Sequence, residues 1–110
     1  MNIEIQAQGD AIVAAVHGRV DTITAPAFEK ELAGSLSGQE KLLVLDLSGL
    51  EYISSAGLRV ILSAAKIMKA KSGEIRLAAT AGSVKKVFQI SGFFSMFKSF
   101  ETMSDALAEN

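Results

Sequence analysis

Apolar and polar residues alternate at the start of the chain. Ile3, Ile5 and Ala7 are interleaved with Asn2, Glu4, Gln6 and Gln8, the period of a strand with one face in a core. Gly9-Asp10 signals a turn and Ala11 to His17 continues as a second strand, so the pair predicts a hairpin. Gly18 to Ile23 leads into a helix, with Thr24 as its N-cap. Pro26 stands in its first turn, where a missing N–H costs nothing. Phe28, Leu32 and Leu36 give that helix a buried stripe, and Glu29, Lys30 and Glu31 face water. Ser37-Gly38 ends it.

The run Lys41 to Leu47 is almost continuously apolar, as suits a central strand covered on both faces. After a short loop, apolar residues recur at helical spacing from about Ala56 to Lys71. Leu58, Ile61, Leu62, Ala65 and Met68 are expected inside, with Arg59, Ser63, Lys66 and Lys69 outside. Ser72-Gly73 ends this helix, and lysines near its C-terminus complement the macrodipole. Glu74 to Ala79 predicts a strand and Ser83 to Ile90 a short helix. A phenylalanine-rich link, a short strand over Lys98 to Phe100 and a last helix through Ala108, opened by the capping box Thr102-Met103-Ser104-Asp105, complete the chain. Strands alternating with helices predict an α/β domain, residues 1–110, with a mixed, mostly parallel sheet of four to five strands and about four helices.

Composition narrows the chemistry. The 110 residues suffice for one core without staples, and no apolar run is long enough to span a bilayer. No basic region followed by an apolar core opens the chain, so no secretory signal is read. The absence of cysteine removes disulfides, thiolate catalysis and sulfur-ligated zinc, and fits a cytoplasmic location. A formal net charge of −1 argues against direct nucleic-acid binding, which needs a basic surface. His17, the one histidine, has no neighbouring ligand cluster and is expected as a surface or half-buried strand residue rather than a base or metal ligand. No nucleophile elbow and no glycine-rich phosphate loop is present, so no enzyme activity, cofactor or metal is expected. A small serine hydrolase would need Ser55-dependent turnover of an activated ester.

The informative segment is Tyr52-Ile53-Ser54-Ser55-Ala56-Gly57-Leu58-Arg59, following Asp46-Leu47-Ser48-Gly49-Leu50. Two serines stand where a loop enters a helix. Capping alone would explain one of them, yet a hydroxyl there also sits at the positive end of the helix, where an added phosphate is tolerated. This segment resembles the switch site of the STAS-domain anti-sigma factor antagonists, in which Asp-Ser-(Ser/Thr)-Gly-Leu carries a serine phosphorylated by a partner kinase. The aspartate becomes Ser54, the acceptor Ser55 and the next position Ala56, while Gly57-Leu58 match outright. The element order resembles a STAS domain over nearly the whole chain.

The resemblance implies phosphorylation at Ser55, with Ser54 as competitor, and a docking surface of Asp21, Ser54, Ser55, Ala56, Gly57 and Arg59. Gly57, lacking a side chain, is expected to leave room for a phosphate or a partner's backbone. Arg59, four residues beyond Ser55, either pairs with its phosphate or is solvated on the outer face. Asp21, in Gly-Arg-Val-Asp, either shapes its loop by accepting backbone N–H bonds or lies beside the serine loop, since parallel strands deliver both loops to the same sheet edge, and belongs to the docking surface. Asp46 is expected to satisfy loop backbone. The adjacent Phe93 and Phe94 cannot both point inward from a regular element, so one is expected exposed as a contact.

The partners implied are an ATP-dependent serine kinase that is also an anti-sigma factor, and a PP2C-type phosphatase, with no membrane insertion. The alternative is a constitutive STAS scaffold or subunit of a stress-sensing assembly or lipid-transport ATPase.

Overall fold

The hairpin forms as expected, but its second strand runs to Val20, three residues past His17, because the strand Leu50–Ile53 pairs with that extension. Strands β1 (Asn2–Gln8) and β2 (Ala11–Val20) pair antiparallel in unbroken register from Asn2↔His17 to Gln8↔Ala11. Gly9 opens the two-residue turn at φ +63°, a conformation such turns demand and side chains resist. The computed structural model describes residues 1–108. Its further elements are α1 (Ala25–Ser35), β3 (Leu42–Asp46), β4 (Leu50–Ile53), α2 (Ser55–Ala70), β5 (Glu74–Ala78), α3 (Gly82–Ile90), α4 (Phe93–Met96), β6 (Lys98–Phe100) and α5 (Met103–Ala108).

The sheet runs β1-β2-β3-β5-β6, parallel except for the first pair, with β4 added to the far end of β2. It has six strands rather than four or five, and the described residues hold five helices rather than four. The sixth strand is β4, expected as loop. It pairs parallel with β2 from Gly18↔Leu50 to Val20↔Ile53, past a shift in register at Gly18/Arg19. Four residues with only Leu50 and Ile53 buried give no alternation, so β2 dictates this strand rather than its own pattern. The fifth helix is the single turn α4.

Side-chain parity divides the sheet into two faces. Ile12, Ala14, Val16, Leu43, Leu45, Ile75 and Leu77 join the main core with Phe28, Leu32 and Leu36 of α1, the inner face of α2, and Val84 and Phe88 of α3. Val13, Val44 and Ala78 point the other way and meet Ala106, Met103 and Leu107 of α5. Apolar residues on both faces of β3 are thus accounted for. On the α5 face Arg76 is 3% exposed; its Nη1 donates to the Ala106 carbonyl at 2.7 Å and its Nη2 to Glu74 Oε1 at 3.2 Å. An arginine here fixes the terminal helix to the sheet through a charge-assisted bond.

Helix α2 buries Gly57, Val60, Ile61, Ala64 and Met68, not the expected Leu58, Leu62 and Ala65. Leu58 and Ala65 are half-buried and Leu62 is 36% exposed. The stripe is rotated by about one residue because α2 has two neighbours to cover: the sheet beneath and α1 at its side. With apolar residues on most of its circumference near the start, period alone does not set the phase.

The phenylalanines form a chain of ring contacts. Phe88 stacks on Phe93 at 5.5 Å between centroids, Phe94 meets Phe88 edge-on at 6.1 Å, and Phe97 meets Phe93 edge-on at 5.5 Å. Phe93 is buried and Phe94 half-buried against the core, so neither is the expected exposed contact. Gly92, at φ +80°, turns the chain between α3 and α4 so that both rings reach inward.

Candidate functional site

The cross-strand pair Val20↔Ile53 starts two loops side by side. Ser54 N donates to the Val20 carbonyl at 2.8 Å, so the segment entering α2 is fastened to the end of β2, where Asp21 begins. Strand pairing that the sequence concealed therefore joins the two loops.

The Asp21 loop is closed on itself. Asp21 Oδ1 accepts from the backbone N–H groups of Ile23 and Thr24, both at 3.0 Å. Thr24 Oγ1 accepts from Asp21 N at 2.9 Å and lies 3.1 Å from the Arg19 carbonyl and 3.2 Å from Asp21 Oδ1, either of which takes its proton. Thr24 does occupy the cap position of α1, but its side chain turns back to this loop and caps no helical N–H. The backbone N–H of Thr24 is the largest influence holding the Asp21 carboxyl below its ordinary value of 3.8. The Thr24 hydroxyl, the Ile23 N–H and the Arg19 charge add to it, against the opposing effect of desolvation. Asp21 is therefore ionised wherever the fold persists near neutral pH. Its loop-shaping role is visible in these bonds; the same is true of Asp46, whose Oδ1 accepts from Ser48 N at 3.1 Å and Ser48 Oγ at 2.8 Å.

The two serines divide the work at the entry to α2. Ser54 has extended backbone (φ −91°, ψ 173°), and its Oγ accepts from Gly57 N at 3.4 Å, a long capping bond that uses the hydroxyl locally. Ser55 is the first helical residue and is exposed, and its hydroxyl makes no hydrogen bond among the described residues. Ala56 is half-buried against the core. Arg59 is exposed one turn beyond Ser55 and lines, with Thr22, Pro26 and Glu29, a shallow groove of about 250 Å³ between the starts of α1 and α2.

Gly57 has a different reason from the one expected. It is buried, and a Cβ built on it would lie 2.6 Å from Ile53 Cγ1 and 2.7 Å from Val20 Cγ1. The glycine lets α2 lie close on β2 and β4; it opens no space toward solvent. Ser54 and Ala56 flank Ser55 along the chain, Arg59 follows one turn on and the loop that begins at Asp21 is fastened alongside, with Gly57 beneath. The sequence reading also missed Arg19 and Tyr52, cross-strand partners whose guanidinium and ring stack at 4.3 Å. No signal marked them, because the strand that carries Tyr52 was itself unrecognised.

A STAS-domain family model matches residues 2–106. The chain is also 44% identical over 86 residues to BtrV of Bordetella bronchiseptica, named as an anti-sigma factor antagonist, an alignment covering 78% of this chain and 74% of that one. The chain belongs to the STAS-domain anti-sigma factor antagonist family. This antagonist-family protein is 30% identical over 95 residues to the anti-sigma-F factor antagonist RsfB of Mycobacterium tuberculosis, covering 86% of its own length and 77% of RsfB. Its fold matches the crystal structure of an anti-sigma factor antagonist from Mycobacterium paratuberculosis with a TM-score of 0.87 at 24% identity, over 96% of this STAS domain and 90% of that chain. Among its described residues, no helix is long and apolar enough to cross a membrane.

Proposed function

We propose that this STAS domain is a phosphorylation-controlled partner switch acting in the cytoplasm. Unphosphorylated, it binds an ATP-dependent serine kinase that is also an anti-sigma factor, so that the sigma factor is set free. The kinase phosphorylates Ser55 and the complex ends; a PP2C-type phosphatase resets the cycle. Catalysis belongs to these enzymes, and the domain is their acceptor and ligand.

The observation that carries this reading is the unequal use of the two serines. Ser54 Oγ is engaged as the α2 cap, whereas the Ser55 hydroxyl is exposed and free of hydrogen bonds among the described residues. A phosphate on Ser55 would meet the positive end of a 16-residue helix, so the fold accepts it. Toward a partner it acts differently. It adds a charge of about −1.5 to −2 beside the ionised Asp21 loop. A hundredfold loss of affinity needs about 2.7 kcal/mol. A single like-charge contact at about 4 Å near a surface is worth up to about 4 kcal/mol before screening. A local charge can therefore eject a partner without refolding the domain. Arg59, exposed one turn beyond Ser55, would pair with part of that charge.

The test is peptide mass spectrometry on protein from its native cells, with and without phosphatase, joined to kinase affinities of Ser55→Asp and Ser55→Ala. A phosphatase-sensitive addition at Ser55 is expected, with weakened binding by Ser55→Asp and retained binding by Ser55→Ala. Absence of phosphate in every growth condition, with equal affinity of both variants, would overturn the switch and leave a constitutive scaffold or transporter subunit.

A further inference from the structure

The two edges of the sheet are unlike. At one edge β6 has three residues and begins with Lys98. At the other, β1 has seven residues, pairs with β2 without a bulge and contains neither proline nor lysine. An edge strand leaves a row of backbone N–H and C=O groups unpaired, and proteins usually blunt it with lysine, proline, a bulge or a covering segment. Among the described residues, β1 carries no proline, lysine or bulge. Its one charge, Glu4, lies 3.0 Å from His17 Nε2 on the neighbouring strand. Ile5, at its centre, is 39% exposed, and Ala7 on the same face is exposed as well.

We propose that β1 is a self-association edge, to which a second copy of this chain adds its own β1 antiparallel about a twofold axis at Ile5. The sequence of the strand is compatible with its own reverse. An axis normal to the sheet at Ile5 opposes Ile5 to Ile5, Ile3 to Ala7, Glu4 to Gln6 and Asn2 to Gln8. The apolar face of one copy continues into the apolar face of the other. Each Glu4 carboxylate meets a glutamine amide, so no like charges are opposed. The neighbouring registers are worse. An axis at Glu4 sets two carboxylates against each other, and an axis at Gln6 leaves Asn2 and Ile3 without partners. A strand edge buries less than the roughly 1,200 Å² at which stable interfaces begin, so the association is weak and concentration-dependent. Because β2 is antiparallel to β1, the β2 strands of the two copies run in opposite directions. The two Ser55 sites then lie at opposite ends of the joint sheet, clear of the pairing.

Sedimentation velocity across micromolar to millimolar concentrations tests this on the full chain and two variants. Wild type is expected to shift from monomer to dimer. Ile5→Lys, which opposes two lysines at the axis, is expected to stay monomeric. Gln6→Lys, which sets a lysine against Glu4 twice, is expected to tighten the dimer by about 2- to 30-fold. Both positions are exposed, so unchanged thermal unfolding of the variants separates an edge effect from a folding defect. A wild-type monomer at every concentration, or a dimer indifferent to Ile5→Lys, overturns the proposal. So does a monomer whose β1 amides gain protection from hydrogen exchange only with the kinase present, which assigns the edge to that partner.

Discussion

Replacing Gly57 with alanine separates two explanations of one residue. If the glycine only leaves room for a partner or phosphate, an added methyl points to solvent and the helix gains from alanine's higher propensity, by up to about 1 kcal/mol and less in a first turn. The packing says otherwise. The methyl would sit 2.6 Å from Ile53 Cγ1 and 2.7 Å from Val20 Cγ1, closer than carbon atoms approach. Both neighbours are β-branched, at 3% and 0% exposure, so neither can swing away. Overpacking of this kind costs about 1–3 kcal/mol, which leaves a net loss of roughly 0.5–2.5 kcal/mol after a first-turn propensity gain of about 0.5 kcal/mol. Thermal unfolding should fall by about 4–8 °C for each kcal/mol in a domain near this size. Val20→Ala opens a cavity beside the same methyl. The double variant should therefore lose less than the sum of the singles, with a coupling of about 0.5–3 kcal/mol by urea denaturation. Stability of Gly57→Ala at or above wild type, or strict additivity with Val20→Ala, would refute the packing argument and return Gly57 to the surface role that the sequence suggested.

The adjacent serines should differ in the same assay. Ser54→Ala is expected to lose about 0.5–1 kcal/mol, the lower part of the range for a cap because its 3.4 Å bond is long, whereas Ser55→Ala stays within about 0.5 kcal/mol of wild type. Equal losses would contradict the division between cap and free hydroxyl. Asp21 gives a pH signature. Its folded-state carboxyl is held below the ordinary 3.8, so its contribution is complete above that pH and disappears as pH falls through the folded-state value. Urea titrations should show the advantage of wild type over Asp21→Asn level near neutrality and shrinking below about pH 4; an advantage that grows on acidification would reverse the sign of the argument.

Legibility in the sequence followed the range of the interaction. The hairpin, the central strand and the limits of most helices were readable because each rests on local period, a turn residue or a cap: β1 runs over the alternating residues, and Thr102 Oγ1 does accept from Asp105 N at 3.0 Å. The candidate site was readable as a motif around Ser55 and, separately, as Asp21. Their adjacency was expected too, from parallel strands that deliver both loops to one sheet edge; the strand that joins them, β4, was not, because it is a strand only by virtue of its partner β2. Thr24 was read as a cap on residue type, but the loop around Asp21 competed for its hydroxyl and took it.

By itself, then, the sequence determined the class of fold, the order of most of its elements and the segment proposed to bear a switch serine, since patterning and local capping need only neighbours along the chain. Tertiary structure decided which face of α2 is buried, why residue 57 is glycine, which of two adjacent serines is spent on the helix, and that the Asp21 and Ser54 loops are fastened together. Each of these is fixed by atoms that meet across strands or helices far apart in sequence. Periodicity records that a residue is apolar or polar, and is silent on what it will touch.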